Sequence, residues 1–205
     1  MKSFPNQIPV FPLSGVIYFP QTNLPLNIFE QRYLDLVNDS IRKDKLMGMI
    51  QSKRKDDGLY KVGCLGKISD FQKSEDGRVL INLTGITRFQ VLEEVKNSKL
   101  YREFRVDYEK FNLDLKPQFE EVNTISLMNK AEIFFKKSGL LLNWKEFGKL
   151  TETQKINTLA MIAPLTNEEK QSLLESVSLK EKAKNLGEII NFYLHEVNSK
   201  NLTIQ

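Results

Sequence analysis

The sequence predicts an α+β protein: a small, strongly curved β-sheet or barrel with one embedded helix, followed by a helical bundle. Three observations carry this. Short β-branched and aromatic runs, punctuated by Gly and Pro, fill the first 110 residues. A single stretch among them, from Phe29, places its apolar residues at helical spacing. Beyond Lys116 the period becomes that of amphipathic helices, with two Ser/Thr-x-x-Glu capping patterns.

In chain order, Ile8–Phe11 and Val16–Phe19 read as short strands around a Ser14-Gly15 turn. The prolines nearby suit sheet edges, because proline donates nothing to a ladder. Phe29, Tyr33, Val37 and Ile41, with Leu34 alongside, make the buried stripe of a helix of about four turns. Glu30 falls near its positive N-terminal end, where a carboxylate is favoured. Leu46–Gln51 is again strand-like, and Ser52–Gly58 is a polar loop. Leu59–Phe71 carries Gly63 and Gly66, which suggest bulges or sharp bends. Glu75-Asp76-Gly77 signals a hairpin turn, and residues 78–95 give one or two strands broken at Gly85. Tyr101–Tyr108 alternates apolar and charged residues, as a half-buried strand does.

The boundary is expected in "FNLDLKP", giving a β-rich region at residues 1–110, a linker at 111–117 and a helical bundle at 118–205. Within the bundle, a helix is expected over Gln118–Lys137, ending near Gly139. Ile156, Leu159, Ala160 and Ala163 form a second stripe, ended by Pro164. Thr166 with Glu169, and Ser178 with Glu181, open two further helices. The last carries Leu186, Ile189, Ile190, Tyr193, Leu194 and Val197 on one face.

Composition narrows the function classes. The net charge of +4 comes from the first 110 residues, with 18 Lys and Arg against 14 Asp and Glu, whereas residues 111–205 carry 12 of each. So mild an excess is neutral toward nucleic acid. Cys64 is the only cysteine, which excludes an intrachain disulfide and a cysteine-based zinc site. The prolines at 5, 9 and 12 interrupt any secretory h-region, and no apolar run reaches membrane-spanning length. A cytoplasmic protein is expected.

Catalytic tools are few. His195, the sole histidine, falls on the polar edge of the last helix, and Cys64 lies in a strand-like segment as a small buried hydrophobe. Nothing brings the two together as a nucleophile and base. Gly66-Lys67 lacks the preceding glycine of a phosphate loop, since Lys61 stands there. No cofactor, no metal and no catalytic residue are expected. Tyr101, Arg102, Phe104 and Arg105 interleave aromatic and basic side chains as single-strand binders do. Strand alternation, however, puts Tyr101 and Arg105 on one face and Arg102 and Phe104 on the other.

Residues 8–33, "IPVFPLSGVIYFPQTNLPLNIFEQRY", resemble the opening of the Lon-protease N-terminal substrate-binding domain family. The matching pieces are Pro9, Pro12-Leu13, Phe19-Pro20 and Leu24 through Tyr33. "GLYKVGCLGKI" at 58–68, "GITRFQV" at 85–91 and "LAMIAPLTNEEKQSLLES" at 159–176 resemble later blocks of that domain. Gln21 stands where the family often has glycine, Asn27 where histidine is common, and Gln31 where proline is common. The resemblance implies a PUA-like pseudo-barrel followed by a helical bundle. It also implies a standalone bacterial protein of this type, without the ATPase and protease modules of full Lon proteases.

The function this implies is non-catalytic polypeptide binding, as an adaptor or weak holdase for unfolded or extended segments, in company with a separate protease. Arg32, Tyr33 and Arg88 are the candidate polypeptide contacts. The alternative is RNA binding through the PUA-like barrel, with steep salt dependence. Nucleic acid ranks below polypeptide, and no membrane partner is expected.

Overall fold

A computed structural model describes residues 4–53, 58–116 and 124–202, with side chains as far as residue 195. The chain divides into two compact units, Met1–Pro117 and Gln118–Gln205. The fold is α+β.

The first unit contains β1 (Gln7–Leu13), β2 (Asn23–Ile28), α1 (Gln31–Arg42), β3 (Leu46–Ser52), β4 (Leu59–Lys73), β5 (Val79–Val95) and β6 (Arg102–Asp107). The sheet order is β2-β5-β4-β3-β1-β6, and β6 also pairs with β5. Five strands therefore close into a ring, which removes their open edges. Among the described residues only β1 and β3 pair in parallel, and β2 and α1 lie in the connection between them.

Each ring strand sends side chains into one interior cluster that includes Ile8, Val10, Leu46, Ile50, Leu65, Phe89, Phe104 and Val106. Phe89 is fully buried there. Gly63 and Gly48 make room for it: a Cβ on Gly63 would lie 2.5 Å from the Phe89 ring, and one on Gly48 2.9 Å. A second cluster forms outside the ring, where Tyr33, Leu36 and Val37 of α1 meet Phe11, Met47, Met49 and Cys64. The register shift at Leu65/Gly66 turns β4 and β5 from one cluster to the other. Hence Leu65 and Phe89 face inward, while Ile68, Val79, Ile81 and Leu83 join the outer core.

Four expectations are corrected here. Val16–Phe19 is not a strand, although Ile17, Tyr18 and Phe19 are buried. Its chain crosses β5 instead, with Gln21 N–H donating to Gly85 O at 3.0 Å and Gly85 N–H to Thr22 O at 2.9 Å. Gly85 does not break β5; it permits the crossing, since a Cβ there would sit 2.1 Å from Phe19 O. Gln21, at the family's frequent glycine position, has φ of 60°, a left-handed conformation that costs a non-glycine residue. Third, α1 starts at Gln31 with Glu30 as N-cap, so Phe29 precedes the helix and is 66% exposed. The buried stripe is Tyr33, Leu36, Val37 and Ser40.

The fourth correction concerns the expected linker. Glu109–Leu115 forms a 3-10 helix in which Phe111 is fully buried. Asp114 on that helix accepts hydrogen bonds from Arg88 Nε at 2.9 Å and Nη2 at 2.7 Å. The segment up to Leu115 is thus packed structure of the first unit.

The second unit holds α2 (Ile125–Lys137), α3 (Trp144–Phe147), α4 (Glu152–Ile162), α5 (Asn167–Glu175) and α6 (Leu179–Leu202). The start of the expected Gln118–Lys137 helix, residues 118–123, lies outside the described residues. Thr166 and Glu169 form the expected capping box, and Thr151 with Gln154 forms another. At α6, Glu181 N–H donates to Ser178 Oγ, but the Glu181 carboxylate reaches back to Val177 N–H. Leu127, Ala131, Phe134 and Phe135 of α2 are buried, as are Ile156, Leu159, Leu173, Leu186 and Ile190. His195 is exposed.

Candidate functional site

The start of α1, the entry to β6, the end of β3 with Lys53 and the start of β4 meet around an open groove of about 470 Å³. Its size falls in the range of about 300–1,000 Å³ typical of ligand sites. Arg32 and Tyr33 come from the first turn of α1, and Leu100, Tyr101 and Arg102 from the β6 entry. Pro12, Ser52, Lys53 and Leu59 complete the lining.

Tyr33 forms the floor. Only 8% exposed, its ring stands edge-on to Phe11 with centroids 4.2 Å apart. Burial raises the Tyr33 pKa, partly opposed by the positive charges of Arg32 and Arg102. The phenol therefore stays neutral at physiological pH and can donate a hydrogen bond. The Arg32 guanidinium lies 4.6 Å from the centroid of the Tyr33 ring and donates to Glu30 Oε2 from Nε at 3.0 Å and Nη2 at 2.7 Å. Arg102 stacks 5.0 Å from the Phe104 centroid and donates to Glu94 from Nε at 2.7 Å and Nη2 at 2.6 Å. That bond holds the Glu94 carboxyl below its ordinary pKa. Both arginines are thus positioned by stacking on an aromatic ring and by a carboxylate on one edge.

Leu100 is 65% exposed on the rim. Tyr101 is buried, and its hydroxyl donates to Asp39 Oδ2 at 2.7 Å. It also lines a second cavity, of about 240 Å³, whose walls include Asp39, Ser40, Asp44 and Glu103. Tyr101 therefore stands between a cationic groove and a cavity whose walls carry three carboxylates and Lys43. Glu103 is held by Gln7, Asn97 and Lys99. The Lys99 contact raises the pKa of that lysine.

Of the three residues expected from the sequence, the structure brings two together. Arg32 and Tyr33 share the groove, Tyr33 as its floor rather than as a projecting contact. Arg88 is elsewhere: 2% exposed, paired to Asp114 and stacked 4.4 Å from the Phe111 centroid, it holds the 3-10 helix on the barrel. It offers no surface to a polypeptide. Sequence reasoning does not single out Leu100, Lys53 or Arg102 for this site. The aromatic–basic interleaving at Tyr101-Arg102 is the usable signal. Strand alternation separates those two only if the strand includes Tyr101, and β6 begins at Arg102. Among the described residues, no group of three or more His, Cys, Asp or Glu could hold a metal ion. No helix there is long and apolar enough to cross a membrane.

The first unit is thus a small closed barrel that carries an open groove lined by aromatic and cationic side chains. The chain belongs to the family described as the ATP-dependent protease La (LON) substrate-binding domain, which matches residues 7–191. It is similar to Lon protease 2 of Myxococcus xanthus, 27% identical over 93% of this chain and 24% of that protein. It is also similar to Lon protease of Anaeromyxobacter dehalogenans, 28% identical over 93% of this chain and 24% of that one. The chain therefore spans about a quarter of the length of these relatives. Two solved structures share the fold. The Lon N-terminal domain protein from Xanthomonas campestris matches with a TM-score of 0.65 at 23% identity, covering 88% of this chain and 96% of its own. The N-terminal domain of Mycobacterium avium complex Lon protease matches with a TM-score of 0.63 at 17% identity, covering 90% and 98%.

Proposed function

We propose that the chain is a non-catalytic module that holds unfolded or extended polypeptide segments, as an adaptor or weak holdase that supplies a protease. The observation that carries this reading is the groove over Tyr33, in a chain whose family is described by substrate binding. Tyr33, Leu59, Pro12 and the exposed Leu100 offer apolar area, and hydrophobic burial is indifferent to the order of residues in the segment. The apolar part of the groove is small and shares the lining with Arg32, Lys53 and Arg102, so modest affinity is expected. Full burial of one leucine side chain is worth only about 1.5–3 kcal/mol.

Fluorescence anisotropy with a labelled unfolded polypeptide tests this. Measurable binding is expected, and it should persist at high salt because its apolar part is not screened. Leu100→Asp should weaken it about tenfold, since the loss of one rim contact is worth about 1.4 kcal/mol or more. Absence of binding, or binding untouched by Leu100→Asp, counts against the reading.

A further inference from the structure

Resting on the polypeptide-binding reading, we propose that the groove selects segments carrying carboxylates next to an apolar side chain. Its lining includes three cations, Arg32, Lys53 and Arg102, and among the described residues no carboxylate. Glu30 and Glu94 neutralise the arginines only in part. Each occupies the Nε and Nη2 groups of its arginine, and a guanidinium carries five donors. The Nη1 edge of each remains for an incoming acceptor. Both pairs are exposed, 54% and 45% for Arg32–Glu30 and 40% and 45% for Arg102–Glu94, so water screens them and a segment's carboxylate can compete. The guanidiniums already lie over Tyr33 and Phe104, 4.6 and 5.0 Å from the ring centroids, which limits the entropy lost on binding.

Lys53 lies 5.5 Å from the Tyr60 ring centroid and adds a third positive charge. Beyond Tyr101, the cavity walls carry Asp39, Asp44 and Glu103 against the single cation Lys43, and Glu103 is paired with Lys99, so the balance there is less favourable to a carboxylate than in the groove. The apolar rim residue Leu100 and Leu59 take the neighbouring side chain. Phosphate groups of RNA share the anionic chemistry, but the apolar rim gives a nucleotide backbone nothing, whereas a Glu-flanked Phe or Leu uses both features.

The test uses the full chain and three short fluorescein-labelled peptides of equal length, each with one Phe flanked by Glu, Gln or Lys. A labelled single-stranded RNA serves as a fourth probe. The Glu peptide is expected to bind about tenfold more tightly than the Lys peptide at low salt, with the Gln peptide between. The preference should shrink at high salt and vanish in an Arg32→Gln, Arg102→Gln variant whose thermal unfolding matches the parent. Equal binding of all three peptides overturns the charge preference while leaving polypeptide binding standing. Failure of every peptide overturns both. RNA binding that depends on the two arginines, without any peptide binding, replaces polypeptide by nucleic acid as the occupant.

Discussion

Asp114→Ala is expected to lower the stability of the first unit by about 3–5 kcal/mol, the cost of removing the carboxylate from a buried ion pair. Arg88 and Asp114 are 2% and 6% exposed at their side chains, and Asp114 also accepts from Arg88 N–H at 2.9 Å. Removing the carboxylate therefore takes the counter-charge from a buried guanidinium and an acceptor from the Arg88 backbone N–H at once. Because Phe111, at the kink of the same 3-10 segment, lies beneath Arg88, the loss should release that segment from the barrel. Denaturant unfolding of Asp114→Ala and of an Arg88→Met, Asp114→Leu double variant checks the mechanism. The double variant should lose much less, since apolar replacement removes the desolvated charge altogether. Equal losses in both would mean that packing, rather than the lost counter-charge, sets the cost.

Phe89→Ala should cost a similar amount, about 3–5 kcal/mol, through the cavity left at the centre of the ring. The surrounding strands cannot collapse into it, because their pairing around the ring is closed. The two glycines facing Phe89 make a sharper test. Gly63→Ala alone forces a Cβ to 2.4 Å from Met49 O and 2.5 Å from Phe89, an overpacked position expected to cost about 1–3 kcal/mol or more. Combined with Phe89→Leu, part of the ring clash disappears, so the two losses should fall short of additivity in thermal unfolding. Strict additivity would show that Gly63 and Phe89 are not a matched pair.

Much of this architecture is legible in the residues, for identifiable reasons. A β-branched and aromatic run marks β1, a period-two pattern marks β6 and period-3.6 patterns mark α1, α4 and α6, whereas the short α3 carries no such signal. The family resemblance is likewise carried by stretches that can be read directly, notably Leu24 through Tyr33, which fall within the matched residues 7–191. What sequence pattern does not reveal is tertiary. Ile17, Tyr18 and Phe19 have strand composition, yet their backbone is used for a crossing over Gly85. Phe111 and Asp114 look like linker residues until Arg88 and the barrel wall supply a partner some 26 positions away. Arg88 illustrates the same limit from the other side, since an arginine beside an aromatic in "GITRF" reads equally as surface contact or buried strut. The groove depends on residues as distant as Pro12, Arg32, Lys53 and Arg102, which only ring closure brings together. Their shared feature in the sequence is no more than local aromatic–basic pairing at Arg32-Tyr33 and Tyr101-Arg102.

The central claim is that polypeptide binds over Tyr33, and chemical-shift mapping tests it most directly. Isotope-labelled protein would be titrated with an unfolded polypeptide while backbone amide shifts are followed. The account predicts that the largest changes cluster at Arg32, Tyr33, Leu59, Leu100 and Arg102, with little change at Arg88 and Phe111. Changes confined to the second unit, or centred on Arg88, would contradict it.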